Sequence, residues 1–458
     1  MRLLVAQLPF SLTEAQERAA EEILSNMAGS STPSRSPSQR EGEKSENSST
    51  AQREREKGED GSVRPMQRLL NGDVGSGKTI VAAIAAASVA RAGFQVAYLA
   101  PTEVLAVQQV RKFTEWFRPL GIHVALWTRT SRSIDGTPVT PSAMRSAVRS
   151  GEASIVIGTH AILTDTVRFH ALGLAIVDEQ HRFGVEQRAC LRAKASGEQL
   201  PHLLSMTATP IPRTLSLSMF GDLDVSVLDE LPLGREPVHT VVVGPGDRLA
   251  MTREIRGEID RGHQTFVVCP QIDVEEGSDA VAVAEALERA QRAFPGVPIC
   301  ALHGRMRKDA QAAIMEEFAS RRIAVLVATT VIEVGVDQPN ATVMVVEDAE
   351  RFGLAQLHQL RGRVGRGSAA GNCFLTTRSD DPGILARLQR VADCADGFRI
   401  AEMDLEERGP GAVIGTSQSG WPAFRHAAMD RNLYQRAQRA AAAYSVPLDT
   451  HAAAAHLE

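Results

Sequence analysis

The apolar positions of this chain fall into short, nearly unbroken runs. VAYLA, IVIGT, LAIVD and LLSMT, between residues 96 and 207, show little polar–apolar alternation. Such runs fit strands buried on both faces, and the helical or loop segments between them predict parallel pairing. A second series, TFVVCP, PICALH, IAVLVAT, TVMVVED and NCFLTT, repeats the rhythm after Leu231. LPLGREPVHTVVV reads as the linker between the two. The pattern predicts two tandem α/β domains with parallel sheets, 1–240 and 241–395. A tail, 396–458, alternates Gly-rich turns with helical stretches and belongs to neither sheet.

Two further segments depart from that rhythm. TEAQERAAEEILSN, residues 13–26, has the pattern of an amphipathic helix capped by Thr13. Residues 28–64 are Ser, Glu, Arg, Lys and Pro with almost nothing apolar, which predicts a disordered insert.

Composition excludes more than it selects. With 43% apolar residues in 458, the chain can build two or three cores. A net charge of −5 gives no general sign of a nucleic-acid partner, although positive charge confined to one groove would still serve one. The five cysteines, Cys190, Cys269, Cys300, Cys373 and Cys394, are scattered without metal-ligand spacing, so they read as reduced and structural. MRLLVAQLPF is too short an apolar run for a secretion signal, and no run is long enough to cross a bilayer. Cytoplasm is the expected compartment.

The chemistry begins at GDVGSGKT: Gly72, Asp73, Val74, Gly75, Ser76, Gly77, Lys78 and Thr79. It meets the P-loop pattern, in which backbone N–H groups curl around phosphate and the following helix offers its N-terminus. Lys78 would reach the β and γ phosphates, and Thr79 would ligate magnesium. Asp178 and Glu179 close an apolar strand about a hundred residues later. Asp178 would hold the magnesium through water, and Glu179 would orient and deprotonate the attacking water. Alone, two acids at a strand end mean little; beside a P-loop they predict a nucleotide hydrolase.

A second domain must then sense the γ-phosphate. QLRGRVGRG supplies Arg363 and Arg366, three apart and so on one side of a helix, as candidates to stabilise the transferring phosphoryl group. The glycines around them favour close packing against another domain. ATTVIEVGVDQPNA precedes them, with Gly335 and Asp337 as candidate reporters of nucleotide or polymer.

The ordered set GDVGSGKT, APTEVLAVQQ, GTHAI, DEQHRFGVEQR, SMTATPIPRTL, HGRM, ATTVIEVGVD and QLRGRVGRG resembles superfamily 2 helicases, and more narrowly the RecG family. The resemblance spans about residues 8–435 and implies RecA-like domains, ATP and Mg2+ as cofactors, and DNA as partner. It implies that Gln180 and His181 complete a DExH box, that Thr207 and Thr209 relay between nucleotide and DNA, and that Gln16 helps to read adenine. It places the loops at Pro101, Thr102 and Glu103 and at Gly158, Thr159 and His160 against one strand's phosphates, through backbone N–H and hydroxyl groups rather than a charge patch.

DGFRIAEMDLEERGPGAVIGTSQSG, Asp396 to Gly420, resembles the translocation motif shared by RecG and the transcription-repair coupling translocases. That likeness implies a helical hairpin and loop, with Arg399, Arg408, Gly409 and Gln418 as its candidates. The implied activity is ATP-dependent translocation on double-stranded DNA, remodelling stalled forks and Holliday junctions in recombination and repair. A cytoplasmic, nucleoid-associated monomer on DNA is expected. The alternatives are a coupling-factor-like translocase that displaces a stalled polymerase, and a non-motor ATP-gated DNA-binding module. Four features depart from the family pattern, the first being the insert that interrupts a normally compact approach to the P-loop. On this reading the motor starts within the first dozen residues, and the family's N-terminal wedge is expected to be missing from this chain. Ala412 stands where Glu is usual, and TRTSRSIDGTPVT lacks the usual Leu-Thr-Gly-Ser run.

Overall fold

The computed structural model describes residues 5, 10–29, 65–179, 200–207, 210–211, 223–232, 236–270, 278–329, 338–367 and 369–408. Residues 30–64, Gln180, His181, Cys190, Thr209, Gly335, Asp337, Gly409, Ala412 and Gln418 lie outside the described residues, as does the side chain of Arg408.

Thr13 opens helix α1 (Glu14–Met27) through a full capping box. Its hydroxyl accepts from the Gln16 N–H at 3.2 Å, and the Gln16 side chain accepts from the Thr13 N–H at 3.1 Å. The helix buries Ala15, Ala19, Ala20 and Ile23 at helical spacing. Strand β1 (Gln67–Gly72) leads through the P-loop into helix α2 (Lys78–Arg91). That helix is apolar nearly all round because α1 packs against it within the first core.

The first sheet continues with β2 (Gln95–Leu99), helix α3 (Glu103–Phe117), β3 (Val124–Trp127), β4 (Arg132–Ile134), β5 (Thr137–Pro138) and helix α4 (Pro141–Ser150). It ends with β6 (Ile155–Gly158), β7 (Leu172–Val177), β8 (His202–Thr207) and β9 (Asp224–Leu228). Its nine strands run in the order β5-β4-β3-β6-β2-β7-β8-β1-β9. All pairs are parallel except the edge formed by β3, β4 and β5. The four apolar runs expected as strands are β2, β6, β7 and β8. The β4–β5 hairpin had no counterpart in the apolar pattern. Its signal is the dipeptide Asp135-Gly136, with φ of 49° and 85°, the positive pair that a two-residue hairpin turn requires.

The second sheet is wholly parallel, in the order β10-β15-β14-β11-β13-β12. Its strands are β10 (His239–Val243), β11 (Gln264–Val268), β12 (Ile299–Leu302), β13 (Val325–Ala328), β14 (Ala341–Val346) and β15 (Asn372–Thr376). Helices α5 (Arg248–Asp260), α6 (Ser278–Ala293), α7 (Lys308–Ala319) and α8 (Leu354–Arg361) connect them. The end of the segment read as linker is therefore structured: HTVVV is β10, paired residue for residue with β15. Its half-exposed Val pattern hid a strand at the sheet edge.

Helices α9 (Pro382–Asp393) and α10 (Gly397–Arg408) follow the second sheet. They are held together by Arg387 and Arg390, both paired with Glu407. Asp404 of α10 accepts from the Leu354 N–H at 2.8 Å, satisfying a free donor at the start of α8.

Candidate functional site

The P-loop sits at the carboxyl end of β1, and Asp178 follows β7, two strands away across β8. Ligands of open α/β sheets bind at this end of the strands. Gly77 has φ 84° and no room for a side chain, because a Cβ there would collide with the amide of Gln16. That amide donates to the Ser76 carbonyl at 2.8 Å, so α1 is stitched directly to the P-loop. Gln16 is 2% exposed, with its oxygen on Thr13 and its nitrogen on Ser76.

Lys78 folds back over the loop, donating to the carbonyls of Gly72 at 2.9 Å and Asp73 at 2.7 Å. Burial lowers its pKa, while Glu179, Asp73 and Asp178 pull it back up. Asp178 is pushed up to about 6, first by burial and then by the neighbouring Glu179. A 2.9 Å hydrogen bond from the Tyr98 hydroxyl acts against that rise. Tyr98 is itself fully buried, and its own pKa is raised well above the ordinary phenol value by burial and by Asp178. Glu179 takes a left-handed backbone, φ 52°, with its N–H on Asp178 Oδ1 at 3.0 Å. A non-glycine residue in that region is strained, and such strain gathers at functional sites.

Facing these groups are Arg363 and Arg366. The structure corrects one expectation: α8 ends at Arg361, so the two arginines lie on the turn beyond it rather than on one side of a helix. Gly362 caps the helix, and its Cα approaches Val74 so closely that a Cβ would lie 2.8 Å from Val74 Cγ1. That approach brings both arginines into one cleft of about 720 Å³ with Gln16, Lys78, Thr79, Asp178 and Glu179. Arg366 lies near enough to Lys78 to depress its pKa.

A contact between the lobes, absent from any sequence expectation, anchors this approach. His358 Nε2 meets Asp73 Oδ1 at 2.5 Å, and His358 Nδ1 meets Arg361 Nη2 at 2.6 Å. Arg361 in turn donates to the carbonyls of Val391 and Cys394, at the end of α9. Gly397, first residue of α10, packs on the Asp73–His358 pair. Burial alone would raise Asp73, but the His358 hydrogen bond and charge, the Val74 N–H and Lys78 hold its carboxyl below the ordinary range.

Other expected residues are spread more widely. Thr207 is buried at the end of β8, in register with Asn71 of β1. Asn71, also buried, binds the backbone of Ile211 in both directions, at 2.9 and 3.2 Å. Thr102, Glu103, Thr159 and His160 line a second cleft between the lobes. Thr102 also caps α3, accepting from Leu105 N–H at 3.3 Å. Arg399 is exposed on α10, paired with Glu402, and lines neither cleft. Cys269 and Cys373 are buried with thiols pushed up to about 12 by that burial, which keeps them inert. Among the described residues, no helix is long and apolar enough to cross a membrane.

The Thr79 hydroxyl and the Asp178 carboxylate are the oxygen donors that a magnesium ion carried on nucleotide phosphates takes from a protein. Asp178, buried beside a second acid and raised by it, is a carboxylate that positive charge would stabilise. The residues fit the ion.

Two parallel α/β lobes closing over one P-loop define the architecture of a helicase motor core. Family models agree: residues 61–217 match the DEAD/DEAH box helicase domain and residues 247–368 the helicase conserved C-terminal domain. The ATP-dependent DNA helicase RecG of Synechocystis is 44% identical over 423 residues, 92% of this chain and 46% of that protein. The RecG of Escherichia coli K12 is 46% identical over 371 residues, 80% of this chain and 53% of that protein. A solved structure of RecG bound to a three-way DNA junction matches with a TM-score of 0.74 and 38% identity, covering 96% of this chain and 52% of that one. The chain belongs to the RecG family of superfamily 2 helicases. It spans about half the length of the curated relatives it matches.

Proposed function

We propose that this chain is an ATP-driven motor on double-stranded DNA, acting on branched substrates such as stalled forks and Holliday junctions. The observation that carries the reading is the two-sided cleft: Lys78, Thr79, Asp178 and Glu179 on one lobe, Arg363 and Arg366 on the other. A nucleotide held there touches both lobes, so its hydrolysis changes what holds them together. The relatives are named as DNA helicases, and the related solved structure holds a three-way junction.

In this reading the P-loop amides and Lys78 hold the β and γ phosphates. Thr79 and Asp178 hold magnesium, which supplies neutralising charge to the phosphoryl oxygens when bound. Glu179 orients the attacking water and takes its proton, while Arg363 and Arg366 stabilise charge on the transferring group. Gln180 and His181 complete the box beside Glu179, Thr207 and Thr209 couple to DNA, and Gly335 and Asp337 report whether nucleotide or polymer is bound. Gln16 fixes the approach of α1 to the P-loop and borders the place for the base. The domains are 1–240, 241–395 and the tail 396–458, with Arg399, Arg408 and Gln418 acting in translocation.

Steady-state ATPase rates without DNA and with single-stranded DNA, linear duplex, a model fork and duplex RNA test the proposal. Stimulation by duplex or forked DNA is expected. Flat rates across all five would overturn the motor reading and leave a nucleotide-gated binder.

A further inference from the structure

The second cleft carries charge that no motif announced. Strand β3 ends at Trp127, and the turn after it is closed by Thr128, whose hydroxyl accepts from Ser131 N–H at 3.0 Å. That turn presents Arg129; Arg132 opens β4, and Arg145 projects from α4, whose start is fixed by the Thr140 cap and Pro141. All three guanidinium groups border the cleft lined by Thr102, Thr159 and His160.

None of the three makes an ion pair or side-chain hydrogen bond to any described residue, and Arg132 Nε is shielded from water with no partner. The acid on this cleft is Glu103, which accepts a hydrogen bond from Thr130 at 2.5 Å. The opposite wall, from the second lobe, is neutral: Leu302, Gln311, Ala312 and Met315. In a chain with net charge −5, positive charge without partners is thus gathered on one side of one cleft. A guanidinium left unpaired by its own protein presents a planar fork of donors, the shape that suits phosphate oxygens.

We propose that Arg129, Arg132 and Arg145 form a wall that grips the phosphates of one DNA strand in this cleft, beside the Thr102 and Thr159 loops. The proposal rests on the DNA reading given above and deepens it. Those loops offer hydroxyl and backbone groups in fixed positions; the arginines add charge that follows the strand without reading its bases. The hairpin β4–β5 gives the wall its place, since it extends the first sheet past β3 and carries Arg132 to the edge of the cleft.

The test is the salt dependence of binding to a labelled fork and to the matching single strand, followed by fluorescence anisotropy. Each phosphate contact contributes a slope of about 0.9 on duplex and about 0.7 on single strands in log affinity against log salt. The triple variant Arg129→Gln, Arg132→Gln, Arg145→Gln should lose about two units of slope or more, with at least about tenfold weaker binding at low salt. A control, Arg91→Gln, Arg118→Gln, Arg149→Gln, removes the same charge outside this cleft and should keep the original slope. Should the triple variant melt early, Arg145→Gln alone, on the exposed helix, should still lose about one contact's worth of slope. An unchanged slope in the cleft variant, or an equal loss in the control, would overturn the wall and leave the DNA reading standing. Absence of salt-dependent binding by the unaltered chain to either DNA would overturn both.

Discussion

The two clefts between the lobes have the same size, about 720 Å³ each, and are built on opposite plans. In the nucleotide cleft nearly every functional group is held by something else. Lys78 is tied to the P-loop carbonyls, Asp178 to Tyr98, Gln16 to Ser76, and Asp73 to His358. In the second cleft the arginines are held by nothing among the described residues, on an exposed turn, a hairpin strand and a helix. The difference follows from the ligands each is suited to. Phosphoryl transfer rewards fixed positions, because stabilisation of the transition state depends on donors already in place. A moving polymer rewards charge that can let go, since a rigid, fully paired contact would bind one register too well.

Substitutions in the first cleft should therefore be severe and those in the second graded. The largest effect belongs to Lys78→Ala and Glu179→Gln, each of which should bring ATP turnover to background. Measurable turnover in a clean preparation would remove the site assignment. Next is Arg366→Ala, which should lower kcat by about a thousandfold while nucleotide binding stays close to unaltered. Weakened nucleotide binding with little change in kcat would make Arg366 a binding residue and bring the clefts closer in kind.

The link between lobes gives a smaller test. His358→Ala removes the side-chain partner of a buried carboxylate, so Asp73 loses the largest of the contacts that keep it ionised against burial. A lost hydrogen bond to a charged group is worth about 2 kcal/mol, so turnover should fall by roughly tenfold or more, with an intact P-loop still binding nucleotide. Turnover equal to that of the unaltered chain would show that the lobes align without this contact.

How much of this was legible in the sequence follows the same division. GDVGSGKT, Asp178, Glu179, Arg363 and Arg366 could be picked out because phosphate chemistry fixes both residue type and spacing. The structure brings Lys78, Thr79, Asp178, Glu179, Arg363 and Arg366 to one cleft, although the helix expected for the arginines ends early, at a glycine that must pack on Val74. Tyr98, Asn71 and His358 were not legible. Each is defined by a partner 80, 140 or 285 residues away, and nothing local distinguishes a buried strand Tyr from one that holds an aspartate. The arginine wall was missed for a different reason. Its members come from three elements, and the family resemblance pointed to hydroxyl and backbone contacts rather than to a charge patch. Of the fold, β2, β6, β7, β8 and five strands of the second sheet were plain as apolar runs; β1, β3 and β9 were not named, nor were β4, β5 and β10 at the sheet margins. Edges are half exposed and lose the unbroken apolar run that marks the centre.

The smallest prediction separates rigidity from chemistry. Thr13 does not itself line the nucleotide cleft, yet its capping box orients Gln16, whose amide holds the Ser76 carbonyl. Thr13→Ala should cost about 1 kcal/mol of stability, read as a lowered Tm, because an N-cap hydrogen bond is lost and a helix donor is left open. The exposed Arg129→Gln change, which breaks no contact within the described protein, should move Tm far less. Bound nucleotide should recover part of the Thr13→Ala loss, since a ligand favours the folded loop that Gln16 supports. If Arg129→Gln lowered Tm more than Thr13→Ala, the second cleft would be the braced one, and the division between a fixed site and a yielding one would fail.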